Sequence, residues 1–289
     1  TLNSTLRHLK AFFQWLAQQP GYKSKISYTD AEYFNLPEKD TRIATAKRQK
    51  PVPTIEQIKY VIESMPFSTD IERRNRCLMA FTLLTGARDS AIASTKIKHI
   101  DLIANSFHQD AREVDTKFSK TFTTYFFPVG EEVRQIVVDW VLYLKESLLF
   151  GNDDPLFPKT NVIQGDDKTF KPSGLKREHW SNASPIRKIF KGSFESAGQQ
   201  YFNPHSFRNT LVGLGQKLCI TAEEYKAWSQ NLGHDKVMTT FISYGEVQPD
   251  RQSEIIQKLE FSNAKGDQAD DLKMAFLRFL DDESGRKFK

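Results

Sequence analysis

The stretch NPHSFRNTLVGLGQKL, residues 203 to 218, decides how the chain is read. Asn203 is a good helix N-cap and Pro204 suits the first helical position, so the sequence predicts a helix whose first turn carries His205 and Arg208, three apart on one face. Phe207, Leu211, Leu214 and Leu218 form the opposing apolar stripe, and the His/Arg face is expected to be free to meet a ligand. A helix N-terminus favours an anion.

The next segment, TAEEYKAWSQNLGH, repeats the pattern. Thr221 and Glu224 make a capping box, Tyr225, Trp228 and Leu232 a stripe, and Gly233 a C-terminal cap, so His234 is held just beyond a helix. Asp235 can start another helix, in which Val237, Phe241 and Tyr244 share one face. Upstream, LLTGARDS ends a buried helix at Gly86 and places Arg88 directly after the turn. In DTKFSK, Lys117 and Lys120 flank a tight turn between two β-type runs, REVD and TFTTYFFPV.

Elsewhere, Leu6, Leu9, Phe12, Phe13 and Leu16 recur at helical spacing, and Pro20-Gly21 stops that helix. SYTDAEYFNLP is a shorter helical segment. KDTRIATAKRQKPVPT, with five basic residues and two prolines, reads as an interdomain linker with a boundary near Pro51. Thr54 and Gln57 form a capping box at the head of the next helix, and EEVRQIVVDWVLYLKESLL is helical. NVIQGDDKTFKPSGLKREHW is polar, lysine-rich and expected to be a loop. After residue 262 a linker-like stretch precedes LKMAFLRFLDDE, a short amphipathic helix suited to docking on its own domain or on a neighbouring subunit.

Composition bounds the function. With 289 residues, 39% hydrophobic and 27% charged, the chain has material for a large core, and no apolar run approaches the ~20 residues of a membrane helix. Two distant cysteines, Cys77 and Cys219, make neither a disulfide framework nor a zinc site, which suits a reducing cytoplasm. A net charge of +5 favours a polyanionic partner. The chain begins with Thr1 and an amphipathic helix, and is expected to be trimmed from something longer.

Taken in order, TGAR, a hairpin lysine, PHSFR, LGH and a final tyrosine resemble the tyrosine recombinase, or phage-type integrase, family. The resemblance covers residues 51 to about 260. It implies a mainly α fold with a small antiparallel β-sheet, divided into the C-terminal part of a helical, DNA-clamping core-binding domain (1–48), a catalytic domain (49–262), and a linker with a C-terminal helix (263–289). It implies that Arg88 and Arg208 clamp the scissile phosphate, Lys117 protonates the leaving 5′ oxygen, His205 assists proton transfer, His234 positions the phosphate and Tyr244 attacks it, with no cofactor and no metal. The implied partners are double-stranded DNA, further copies of the chain in a tetramer on DNA, and accessory directionality proteins; the implied location is the cytoplasm, with the nucleoid. Lys47, Arg48, Lys50, Lys96, Lys176 and Arg177 are the first DNA-contact candidates, with Lys98, Lys171, Arg187, Lys188 and Lys191 behind them. The chain departs from the family habit at Ala91, where an acidic residue is common and Asp89 is the displaced substitute, and in the ten-residue interval from His234 to Tyr244, where nine is usual. A type IB topoisomerase, a telomere resolvase and an inactive DNA-binding relative remain as alternatives.

Overall fold

The computed structural model describes residues 2–46, 51–165 and 168–234. Lys47, Arg48, Lys50, Tyr244 and the segment 263–289 lie outside the described residues. The chain divides into two compact units, Thr1–Pro51 and Val52–Lys289.

In the first unit, α1 (Leu2–Leu16) is followed by a 3-10 turn (Tyr28–Phe34) and by α2 (Glu38–Thr45). Phe13 stacks on Phe34 at 5.0 Å between centroids, and Lys10 pairs with Glu32 at 2.9 Å. Only Ala17 and Ala31 are buried there among the described residues. Helix α2 corrects the linker expectation over residues 39–45. Few large apolar groups are needed for a helix whose first turn carries Glu38 and Asp40 and whose Glu38–Arg42 pair closes at 2.5 Å.

The second unit is built around α4 (Asp70–Thr85), which is buried from Cys77 to Thr85. A helix apolar on all sides needs neighbours on all sides. They are α3 (Ile55–Ser64), α6 (Glu131–Glu146), α7 (Ser184–Ser196) and α8 (Pro204–Leu218). Phe81, Phe107 and Phe157 meet edge-on or tilted at 5.2 and 5.4 Å, and Phe190 and Phe194 pack on Phe207. Cys77 and Cys219 are buried free thiols.

A three-stranded antiparallel sheet flanks this bundle in the order β1 (Ile100–Asp101), β2 (Ser106–Gln109), β3 (Phe122–Tyr125). The run REVD is not a strand. The strand that pairs with FTTY is SFHQ, in the register Phe107↔Thr124. Asp110 diverts the chain: its carboxylate accepts from Arg112 N at 3.0 Å and binds the Arg112 guanidinium, and Glu113 N returns to the Asp110 carbonyl. Residues 161–176, expected to be a loop, mostly form a second hairpin, β4 (Lys159–Gln164) with β5 (Phe170–Lys176). Its strands are largely exposed, so no apolar alternation marks them in sequence. Among the described residues no helix is long and apolar enough to cross a membrane.

Candidate functional site

Three turns converge, and each is shaped by its sequence. Helix α4 ends at Gly86 with φ 59°, and a Cβ there would come within 2.9 Å of Leu211 Cδ1 on α8 and 3.2 Å of Leu232 Cδ2. Only glycine takes that left-handed cap at such close approach. Arg88 then serves as N-cap of α5 (Asp89–Ser94) and stands half-buried. Helix α8 is capped as expected, with Asn203 Oδ1 accepting from Ser206 N at 3.2 Å. Helix α9 (Ala222–Asn231) has the expected capping box, Thr221 with Glu224, and Gly233 follows it at φ 70°. A Cβ at Gly233 would lie 2.6 Å from the Phe122 ring, so the turn before His234 is pressed against β3. Asn231 locks the same joint: its Oδ1 accepts from Tyr125 N at 2.6 Å, its Nδ2 donates to Tyr125 O at 2.8 Å, and its carbonyl accepts from Thr124 Oγ1 at 3.0 Å.

Arg208 ties the three turns together. It is buried to 3% exposure; Nη1 donates to Gly86 O, and Nη2 donates to Leu232 O at 2.6 Å and to His234 Nε2 at 3.1 Å. The expectation of an open His/Arg face on α8 is corrected here. His205 is exposed, but the Arg208 stem runs inward, because the buried carbonyls of two helix ends need donors that only a long guanidinium reaches. The apolar stripe is also shorter than expected, since Leu218 is 50% exposed.

The electrostatics follow from this crowding. Burial, then the charges of Arg208 and Arg88, with His205 and Lys120 adding to them, lower His234 to about 4. Because an arginine nitrogen can only donate, His234 Nε2 accepts, and the neutral ring carries its proton on Nδ1. Desolvation, Arg208, Arg88 and Lys117 likewise lower His205, with Asp89 opposing them. Arg88, Lys117, His205, Arg208 and His234 therefore share one electrostatic neighbourhood. Lys117 is exposed beside the Phe118 ring, 4.9 Å from its centroid. Tyr244 lies outside the described residues.

Asp89 is not directed to Arg88. Its Oδ2 accepts from Arg187 Nε of α7 at 2.7 Å, and Ala91 is a buried residue of α5. Four DNA-contact candidates among the described residues, Lys96, Lys98, Lys176 and Arg177, are already paired. Lys96 and Lys98 bind Glu113 and Asp153, Lys176 binds Glu178 at 2.5 Å, and Arg177 donates to Leu148 O and covers the Phe150 ring. Sequence reasoning missed Asn231, the Asp89–Arg187 pair and the anchoring of Glu113 on His99. The asparagine before LGH was the one visible signal, since a side-chain amide can imitate a strand's peptide. Among the described residues, no group of three His, Cys, Asp or Glu is placed to hold a metal.

Solved structures share this fold. The XerH site-specific recombinase bound to palindromic difH substrate, in a post-cleavage complex, is 18% identical, with a TM-score of 0.58 over 89% of this chain and 67% of that one. XerA recombinase is 18% identical, with a TM-score of 0.50 over 89% of this chain and 84% of that one. The Tn1549 transposon integrase in complex with circular intermediate DNA is 16% identical, with a TM-score of 0.50 over 89% and 79%. No curated protein sequence matches significantly. The sequence profile of the phage integrase family matches residues 54–251, which include every candidate catalytic residue from Arg88 to Tyr244, and the chain belongs to that family.

Proposed function

We propose that the protein is a site-specific DNA recombinase that cleaves and rejoins duplex DNA through a covalent 3′-phosphotyrosine. The observation that carries this is the gathering of Arg88, His205, Arg208 and His234, brought from three separate turns, with Lys117 within electrostatic reach. Such a set meets the demand of phosphodiester cleavage. Attack builds negative charge on the non-bridging oxygens, and fixed cationic donors stabilise that charge more than they stabilise the ground state.

In this mechanism the Tyr244 oxygen forms a bond to phosphorus as the bond from phosphorus to the 5′ oxygen breaks. The phenolic proton passes to His205, whose lowered pKa keeps it neutral and able to accept one. The 5′ oxygen leaves with a proton from the Lys117 ammonium. Arg88 faces the phosphate, Arg208 holds the turns from which Arg88 and His234 rise, and the neutral His234 presents Nδ1–H as a donor. Rejoining reverses each transfer. Affinity for duplex DNA comes from cationic side chains around this site, with Lys47, Arg48 and Lys50 ahead of it in sequence, and the segment 1–48 acts as part of a clamp on the duplex. Copies of the chain assemble as a tetramer on paired sites, through the segment 263–289.

A non-cleaving DNA-binding module is the second reading. It is favoured by one observation, that the Asp89 carboxylate is taken by Arg187, and Ala91 supplies none to Arg88. Tyr244→Phe separates the two. It is expected to bind nicked duplex normally and to form no covalent band, while the wild-type adduct maps to Tyr244. Undiminished cleavage by the variant, or an adduct on another residue, overturns the assignment.

A further inference from the structure

Lys117 rides on the crossing from β2 to β3, and that crossing is pinned in three places. Ala111 N donates to Thr121 Oγ1 at 3.0 Å and closes its mouth. Glu113 accepts from Lys98 Nζ at 2.9 Å and lies 2.9 Å from His99 Nε2, and His99 Nδ1 accepts from Lys96 N at 3.0 Å. The third pin is nearest the lysine. Asp115 N donates to Ser94 Oγ at 2.8 Å, and Asp115 O accepts from Ser90 Oγ at 3.2 Å.

Ser90 and Ser94 stand one helical turn apart on α5, the helix whose N-cap is Arg88. A residue two positions before Lys117 is thus held at its N–H and at its carbonyl by the helix that begins at the arginine. Beyond Lys117 the backbone enters the left-handed region twice in succession, at Phe118 (φ 62°) and Ser119 (φ 50°). Non-glycine residues persist there only where the surrounding structure over-determines them. The clamp at Asp115 on one side and β3 on the other supply that constraint.

We propose that Ser90 and Ser94 are positioning residues that couple Lys117 to Arg88, so that the proton donor and the phosphate-facing arginine are set by one short helix. This rests on Lys117 as the donor to the 5′ oxygen. A positioned proton donor contributes about 10²–10⁴-fold, and a donor displaced by a loosened loop loses part of that.

The test compares two nicked duplexes, one with the ordinary bridging 5′ oxygen and one with sulfur in its place. Sulfur leaves as a thiolate and needs no proton. Ser90→Ala and Ser94→Ala are expected to slow single-turnover cleavage of the oxygen duplex about tenfold or more, and to cleave the sulfur duplex at close to the wild-type rate. Lys117→Ala should show the same split more strongly, and Ser94→Thr, which keeps the hydroxyl, should recover. Asp115 is exposed, so its freed amide turns to water and both alanine variants should fold; Ser90→Ala, which removes the longer bond, carries the test if Ser94→Ala is unstable. Equal losses on both duplexes, or no loss on either, overturn the proposal while Lys117→Ala still shows its split. If Lys117→Ala is not rescued by sulfur, the proposal falls together with the donor role. If the wild type yields no covalent product on either duplex, the recombinase function itself fails.

Discussion

Arg208 Nη2 lies 2.6 Å from Leu232 O and 3.1 Å from His234 Nε2, so one guanidinium nitrogen fixes both the turn that presents the histidine and the ring's tautomer. Its partner nitrogen Nη1 donates to Gly86 O, just before Arg88. Arg208→Ala should therefore do two things. Cleavage should fall on the order of a hundredfold or more, because the turns that present Arg88 and His234 to the phosphate lose the group that ties them. The buried carbonyls of Gly86 and Leu232 lose their donor, so stability should fall by about 2–4 kcal/mol in urea unfolding. A variant as stable as the wild type would show that Arg208 does not join the turns.

Acid should loosen the site through His234. Its ordinary value of 6.5 falls to about 4 in the folded protein, so between those values the unfolded chain binds a proton that the folded chain does not. Stability contributed by the neutral ring is present above about pH 6.5 and declines toward pH 4, by up to about 3 kcal/mol. His234→Gln should flatten the stability profile in that window. An unchanged slope would assign the acid sensitivity to another group.

Gly233→Ala should cost about 2–4 kcal/mol, from left-handed backbone strain and from overlap with the Phe122 ring. Adding Phe122→Leu should restore the steric part alone. Thermal or urea unfolding of the single and double variants measures both; full recovery in the double variant would mean that φ 70° costs alanine nothing there.

Cleavage should persist in a chelator, because guanidinium, ammonium and imidazole groups supply the charge and donors that metal-dependent nucleases take from cations. Covalent-complex yield with and without chelator decides it. Loss in chelator, with recovery on adding magnesium, would contradict the mechanism.

Removing residues 263–289 should weaken assembly on paired sites more than binding to a single site. The segment's six basic and six acidic side chains cancel, which leaves the apolar residues of LKMAFLRFL rather than net charge to act. Equal assembly by the truncated chain, measured by gel shift on one-site and two-site DNA, would remove the docking role.

Much of this was legible in the sequence where local chemistry decides the outcome. Asn203, Thr221 with Glu224, Thr54 with Gln57, and Gly86 all cap helices as their residue types require. What was not legible depends on partners distant in sequence. Arg208 looked like a surface companion of His205 because spacing along a helix does not reveal that carbonyls at Gly86 and Leu232 lie beneath it. The β4–β5 hairpin was missed because exposed strands carry no apolar period, and REVD passed for a strand because the grip of Glu113 on Lys98 and His99 comes from a different segment. Lys96 and Lys98, chosen for DNA contact, bind Glu113 and Asp153, acidic partners that no local pattern announces.

The reach of Arg208 also sets when the site can exist during synthesis of the chain. Its acceptors lie 122 residues behind it, at Gly86, and 24 residues ahead, at Leu232. Contacts of such sequence separation form late, after the loop-closure cost has been met. A nascent chain that has reached α8 already displays Arg88 and Lys117, but the turn bearing His234 and the tyrosine beyond it are still to be made. On the proposed chemistry, a chain halted before residue 244 carries the guanidinium and ammonium groups of the site without its nucleophile, and has no means of forming a bond to phosphorus.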